Sequence, residues 1–316
     1  MSQTAPGTAI EVRGVTRRYR STTALDGVTV DFAENMIHGL LGRNGAGKTS
    51  LMSVITGQDW PTEGEVRIFG QRPHENEQIL PRICFVREEQ RYIDDSLPKH
   101  AFAAASRAFP NWDWDLADRL TEDFRVPKKT RIKKMSRGQR SAVGVIIGLA
   151  SRTEITFFDE PYTGLDAVAR QLFYDRLLED YAEHPRTIVL SSHLIDEIAH
   201  LVENVVVIDR GKILLHEPVE QLRDRAVTLV GRQEAVAEIA GSREVLHQEQ
   251  MGRITRTTVL GALTQAEVQR VRELDLDLVP VSLQQLIVRL TTRQAASGDP
   301  DAATAGTHTD PQEVTR

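Results

Sequence analysis

Residues 37–56 read IHGLLGRNGAGKTSLMSVIT: a short apolar run, a glycine-rich loop and a helix-like stretch in direct succession. Within it, Gly42, Arg43, Asn44, Gly45, Ala46, Gly47, Lys48 and Thr49 fit the pattern G-x-x-x-x-G-K-[ST]. Glycines let a backbone turn tightly, so that successive N–H groups converge on phosphate oxygens. The helix that follows aims its N-terminal dipole at the same anion. In such a loop Lys48 bridges the β- and γ-phosphates, Thr49 puts a hydroxyl on Mg²⁺, and Ser50 adds a contact to the α-phosphate. A strand before and a helix after are the context this chemistry requires, and the stretch reads as a nucleotide-binding loop.

About a hundred residues downstream lies a second informative run. Ile155-Thr156-Phe157-Phe158-Asp159-Glu160 is an apolar strand ending in adjacent carboxylates. By itself such a pair marks a loop or a helix start. Beside a phosphate loop, Asp159 becomes a partner for Mg²⁺ opposite Thr49. Glu160 is then placed to polarise a water aimed at the γ-phosphate, a general-base role worth roughly 10²–10⁴-fold. His193 closes another apolar strand, in Ser191-Ser192-His193. Most lone histidines are structural, but ligands of open α/β sheets bind at the C-terminal ends of strands, and a histidine there can sense a γ-phosphate.

The surrounding chain supports an α/β reading. It has 316 residues, 40% apolar and 27% charged, with a net charge of −6. That composition suits a soluble protein with a real core and argues against a general nucleic-acid binder. The longest mostly apolar run, residues 142–150, falls far short of the ~20 needed to span a membrane. The opening MSQTAPGTAI carries no signal-peptide pattern, and the single cysteine, Cys84, precludes an internal disulfide. Strands are expected at 9–15, 28–32, 37–41, 64–69, 83–86, 155–158, 187–190, 205–209 and 212–216, the last two flanking the turn signal Arg210-Gly211. Helices are expected at 101–109, 114–124 and 137–150. The basic run at 128–134 reads first as a solvated face. Beyond Arg225 the order of elements is β-α-β-β-α-β, that of a small ferredoxin-like module. Pro280 confines its last strand to an edge. Capping pairs occur at Thr264/Glu267 and Ser282/Gln285.

Taken together, these motifs resemble the ATP-binding subunit of ABC transporters over roughly residues 10–223. Met135-Ser136-Arg137-Gly138-Gln139 is similar to the family signature, usually L-S-G-G-Q, and Gly164-Leu165-Asp166 to the loop after the catalytic strand. The resemblance implies an α/β P-loop NTPase fold: a RecA-like core, an antiparallel β subdomain and an α-helical insertion at about 91–150. With the element order and composition of the remaining chain, the divisions are 1–224 for the ATP-binding domain, 225–293 for a small α+β domain with a dimerisation or regulatory role, and 294–316 for a disordered tail. It also implies an adenine-stacking role for Tyr19, a catalytic glutamate at Glu160 and a switch histidine at His193. In that family ATP is sandwiched between the phosphate loop of one subunit and the signature of another. Ser136, Gly138 and Gln139 would therefore complete a neighbour's nucleotide site.

Two departures from the family pattern bring charge to the site. Arg137 replaces the first glycine of the signature. Where a glutamine usually follows the strand at 83–86 and reaches Mg²⁺, counting places Glu88; Gln90, two residues on, would serve instead if the loop bulges. A carboxylate holds Mg²⁺ but, when ionised, donates no hydrogen bond. With Glu88 in that role, Glu88→Gln should retain activity and Gln90→Ala should matter little. The segment at 109–114, with Trp112 and Trp114, is similar to one in bacterial drug-exporter ATPases, or packs the insertion's own small core.

The expectation is an ATPase, using ATP and Mg²⁺, that powers a separately encoded membrane permease, in the direction of export. It would work with a second ATP-binding subunit, with no nucleic acid, as a peripheral protein on the cytoplasmic face of the membrane. The competing expectation is a non-transport ABC ATPase acting on a macromolecule.

Overall fold

The computed structural model describes residues 7–223, 225–241 and 243–289. The chain divides into two compact units, Met1–Gln221 and Leu222–Arg316. In chain order the elements begin with β1 (Thr8–Tyr19), β2 (Thr22–Ala33), β3 (Ile37–Leu41), α1 (Lys48–Ile55), β4 (Glu63–Ile68) and β5 (Ile83–Val86). The helical insertion follows as α2 (Pro98–Ala108), α3 (Trp114–Asp123) and α4 (Arg137–Ala150). Then come β6 (Ile155–Asp159), α5 (Ala167–Glu183), β7 (Thr187–Ser192), α6 (Ile195–Ile198), β8 (Asn204–Asp209), β9 (Lys212–Pro218) and α7 (Val219–Arg223).

The main sheet of the first unit has the order β5-β6-β7-β3-β8-β9. All its pairings are parallel except that of the edge strand β9 with β8. Every residue of β3, β6 and β7 is buried, which is why these strands read as unbroken apolar runs rather than alternating ones. Parallel register brings their C-terminal ends together: Leu41 lies opposite Ser192, and Asp159 opposite Ser191. The loops leaving these strands therefore share one edge of the sheet, where ligands of such folds bind. A second, antiparallel sheet has the order β2-β1-β4. Between the two sheets α1 packs on β1, β2, β4 and β6. Its Leu51, Met52 and Ile55 join Phe32 and Phe157 in one fully buried core.

In the insertion, α2 and α3 both pack on α4. Trp112 sits between Phe102 and Trp114, with ring centroids 6.1 and 5.6 Å away, so the tryptophans do pack against the insertion's own residues. The basic run is exposed and paired with acidic neighbours, Lys128 with Glu122 and both Arg131 and Lys133 with Asp95. The turn between β8 and β9 has Arg210 and Gly211 at φ 46° and 77°, the left-handed pair that a two-residue hairpin demands. Two features exceed the sequence expectation. Strands β1 and β2 extend into a polar hairpin, with Tyr19 opposite Thr22. The 17-residue helix α5, capped by Asp166 accepting from Ala169 N, is not among the helices expected above, although its buried Phe173, Tyr174 and Leu177 recur at helical spacing.

The second unit holds β10 (Ala226–Arg232), α8 (Gln233–Ala240), β11 (Val245–Met251), β12 (Ile254–Leu260), α9 (Gln265–Glu273) and β13 (Asp277–Pro280). Its sheet order is β11-β12-β10-β13, antiparallel throughout, with the Pro280 strand at an edge. That is the order of the ferredoxin-like motif expected from the sequence. The helices cover a core of Leu229, Val236, Ile239, Val259, Val271 and Leu276. The Thr264/Glu267 capping box forms. Ser282 Oγ likewise accepts from Gln285 N at 3.2 Å at the start of the helical residues 283–289. The stretch at 294–316, expected to be disordered, lies outside the described residues.

Candidate functional site

The phosphate loop leaves β3 and turns into α1 without a side-chain cap. Gly47, the residue before the helix, has φ 112°, and a Cβ there would lie 2.7 Å from Ala24 O, so only glycine fits. This exposes the first backbone N–H groups of α1 to whatever lies above the loop. Arg43, Asn44 and Gly45 are exposed, Ala46 is buried, and Ser50 is half-buried. Lys48 folds back over the loop. Its Nζ donates to Gly42 O at 2.8 Å and lies 3.1 Å from Glu160 Oε1, with both side chains almost fully buried.

The end of β6 meets this loop. Thr49 Oγ1 donates to Asp159 Oδ2 at 2.6 Å, and Ser191 Oγ donates to Asp159 Oδ1 at 2.6 Å. Ser191 Oγ also accepts from Glu160 N at 3.0 Å. Glu160 has φ 46°, a left-handed conformation that costs a non-glycine residue about 1–3 kcal/mol and persists only where its surroundings fix it. Here Lys48 holds one carboxylate oxygen and His193 the other, with Nδ1 2.8 Å from Oε2. The carboxylate accepts, so Nδ1 carries the proton. Beneath them Tyr162 OH donates to Ser192 Oγ at 2.5 Å, and burial pushes its phenol pKa up. Phosphate loop, Asp159, Glu160 and His193 thus form one connected set across three strand ends.

On the other side of Glu160 a cavity of about 240 Å³ is lined by Glu88, Gln90, Arg137, Ser141, Glu160 and Pro161 among others. Burial and the nearby Glu160 carboxylate raise the pKa of Glu88, with Asp159 adding to the effect and Arg137 opposing it. Arg137 Nη2 donates to Glu88 Oε1 at 2.6 Å. Gln90 Oε1 accepts from Arg87 N at 3.4 Å.

Ser136 caps α4. Its Oγ accepts from Gln139 N at 3.2 Å, and Gln139 Oε1 accepts from Ser136 N at 3.0 Å, a closed capping box on an exposed helix end. A Cβ on Gly138 would lie 2.3 Å from Gly164 O, so this glycine lets the loop after β6 lie against the helix start. Ser141 Oγ, donating to Thr163 O at 2.6 Å, fastens the same contact. None of these atoms reaches the phosphate loop by a hydrogen bond; the structure does not bring the signature and Lys48 together within one chain. Tyr19 is 40% exposed. Its hydroxyl bonds Asp59, and the Arg17 guanidinium lies 4.4 Å from its ring centroid.

Among the described residues no cluster of three or more His, Cys, Asp or Glu is placed to hold a metal on its own. The donor set at Thr49 and Asp159 is nonetheless hard oxygen, and phosphate oxygens complete such a set for magnesium. The residues fit a magnesium ion that arrives with its nucleotide. Sequence reasoning missed the Lys48–Glu160 and Glu88–Arg137 pairs and the Tyr162–Ser192 bond.

A family model described as ABC transporter matches residues 25–163. The bacitracin transport ATP-binding protein BcrA of Bacillus licheniformis is 30% identical over 222 residues, which cover 69% of this chain and 72% of that protein. The daunorubicin/doxorubicin resistance ATP-binding protein DrrA of Streptomyces peucetius is 25% identical over 226 residues, 70% of this chain and 68% of the relative. Among solved structures, an ATP-binding subunit of an ABC transporter superposes with TM-score 0.62 at 22% identity, covering 68% of this chain and 92% of the other. A dimeric bacterial ABC transporter cassette gives 0.59 at 21%, covering 66% and 98%. At these identities the solved structures speak to the shared fold.

Proposed function

This chain belongs to the ATP-binding subunits of ABC transporters, and from that membership we propose that it is the motor of an export system whose membrane-spanning part is a separate polypeptide. The observation that carries the reading is the connected set of Lys48, Thr49, Asp159, Glu160 and His193 over the phosphate loop. In it Lys48 and the loop amides, from Gly42 to Ser50, grip the triphosphate. Thr49 and Asp159 hold magnesium, which when bound screens the phosphate charge. Glu160 takes a proton from the attacking water, and His193, bonded to it, keeps its carboxylate oriented. Glu88 is the residue we assign to the magnesium side of the cavity. Tyr19 is assigned to the adenine.

The other half of the site comes from a second subunit, a copy of this chain or a related one. Ser136, the Gly138 amide and Gln139 stand at the exposed N-terminus of α4, where the helix dipole favours an anion presented from outside. The second unit of the chain, from Leu222, would serve that dimer or regulate its turnover.

Among the described residues no helix is long and apolar enough to cross a membrane. The relatives named for bacitracin transport and daunorubicin resistance support a permease partner and export, with this chain peripheral on the cytoplasmic face. The helical insertion is our choice for where motion leaves the subunit. Between it and the main sheet runs a groove of about 620 Å³, lined in part by Leu80, Phe85, Tyr92, Ile93 and Ile147. Ile93 is 83% exposed. The groove shares Val86, Gln90, Arg91 and Gly144 with the cavity beside Glu160. The test is purification of the tagged full chain from detergent-solubilised membranes of its own host. A polytopic membrane protein should copurify in stoichiometric amount. Recovery with a soluble macromolecular partner alone contradicts the transport reading.

A further inference from the structure

Two charged departures from the family pattern, Glu88 and Arg137, are far apart in the chain, yet in the structure they are one ion pair. Arg137 Nη2 donates to Glu88 Oε1 at 2.6 Å. Each departure alone is unfavourable at this place. Glu88 lines the cavity that also holds Glu160, and its ionisation is opposed by burial, Glu160 and Asp159. A third carboxylate beside these two faces a site that must accept a triphosphate. Arg137 alone would put an uncompensated guanidinium at the positive end of a helix.

Of the arginines that line this cavity, Arg87, Arg91, Arg137 and Arg140, it is Arg137 that bonds Glu88. Arg87 also lines the cavity, but its Nη2 donates to Ser53 and Gln58. Arg140 donates to Met135 O at 2.8 Å. The Arg137 stem passes close to Gly164 as well. A Cβ on Gly164 would lie 2.8 Å from Arg137 Cγ, so the side chain lies along the loop that begins at Glu160. As a contribution to stability a half-exposed pair of this kind counts for little. Its value lies in where it puts charge.

We propose that Arg137 is a positioning residue that neutralises Glu88, so that a glutamate can stand beside the γ-phosphate, and that the pair ties the loop after β5 to the start of α4. This rests on the reading of the site as one for MgATP and extends it. The pair replaces a neutral glutamine and a glycine by two charges that cancel. It predicts that the two substitutions compensate each other and that the effect is felt by a triphosphate and not by a diphosphate, which lacks the γ-phosphate.

The test is calorimetric binding of the β,γ-imido ATP analogue and of ADP, with Mg²⁺, to the full chain. Arg137→Gly should weaken the analogue about tenfold and leave ADP within about twofold, the size expected of one uncompensated like charge. Arg137→Lys, which keeps the charge, should stay near wild type. Glu88→Gln combined with Arg137→Gly should recover most of the lost analogue affinity. Equal weakening of both nucleotides by Arg137→Gly, or a double variant as weak as Arg137→Gly, overturns the proposal. Thermal melts of each variant separate a folding defect from a charge effect. A wild-type chain that binds neither nucleotide overturns the reading of the site itself, a result distinct from failed compensation.

Discussion

At Lys48 a buried ammonium is surrounded by partners from its own chain: the loop carbonyl of Gly42, the carboxylate of Glu160 and, through it, His193. At Ser136 the arrangement is reversed. The hydroxyl caps its own helix, and the residue is exposed at the surface. Both regions are helix N-termini preceded by a tight loop. One is organised inward, by three parallel strand ends whose register leaves little freedom. The other is rigid in itself, through its capping box and the Gly138–Gly164 contact, but is presented outward. On the proposed function, such a division prepares the chemistry in one subunit and leaves its completion to another.

The largest expected effect lies on the inward side. Lys48→Ala removes the cation from the loop and leaves Glu160 buried without it; breaking a buried pair by removing one partner costs about 3–5 kcal/mol. Tight ATP binding should disappear in equilibrium titration, and the melting temperature should fall. Retained affinity would mean that the inward half is not the phosphate site. The effect on the outward side should be smaller and of another kind. Ser136→Ala loses a helix cap, a cost of about 1 kcal/mol. It should leave single-subunit nucleotide binding near wild type while weakening ATP-dependent association. Ser136→Thr, which keeps the cap, should largely restore it. If Ser136→Ala lowered nucleotide affinity of the lone subunit as Lys48→Ala does, the contrast between the two regions would be lost.

What could be read from the sequence follows the range of each interaction. The bounds of β3, β5 and α4 were legible because apolar runs, glycines and a capping serine are local signals. The edge position of β13 followed from the missing N–H of Pro280. Helix α5 went unread although Phe173, Tyr174 and Leu177 recur at helical spacing behind the Asp166 cap; the exposed Val168 and the buried Asp180, which pairs with Arg186 at 2.6 Å, blur its apolar face. The polar ends of β1 and β2 were missed because their register comes from pairing with each other. At the site, the residue types and their order along the chain were visible. The pairs that hold them in place, Lys48 with Glu160 and Glu88 with Arg137, join residues 112 and 49 positions apart, and no local pattern announces them. The departure at Arg137 was visible, but its reason lay in the fold.

The division of the site between two subunits is tested most directly by sedimentation of the Glu160→Gln full chain with and without saturating MgATP. Loss of the general base should slow hydrolysis by roughly 10²–10⁴-fold and hold the nucleotide in place. The account predicts that the sedimenting mass doubles when ATP is added and returns to that of a single chain when it is removed. A chain that binds ATP to saturation and still sediments as a single copy contradicts it.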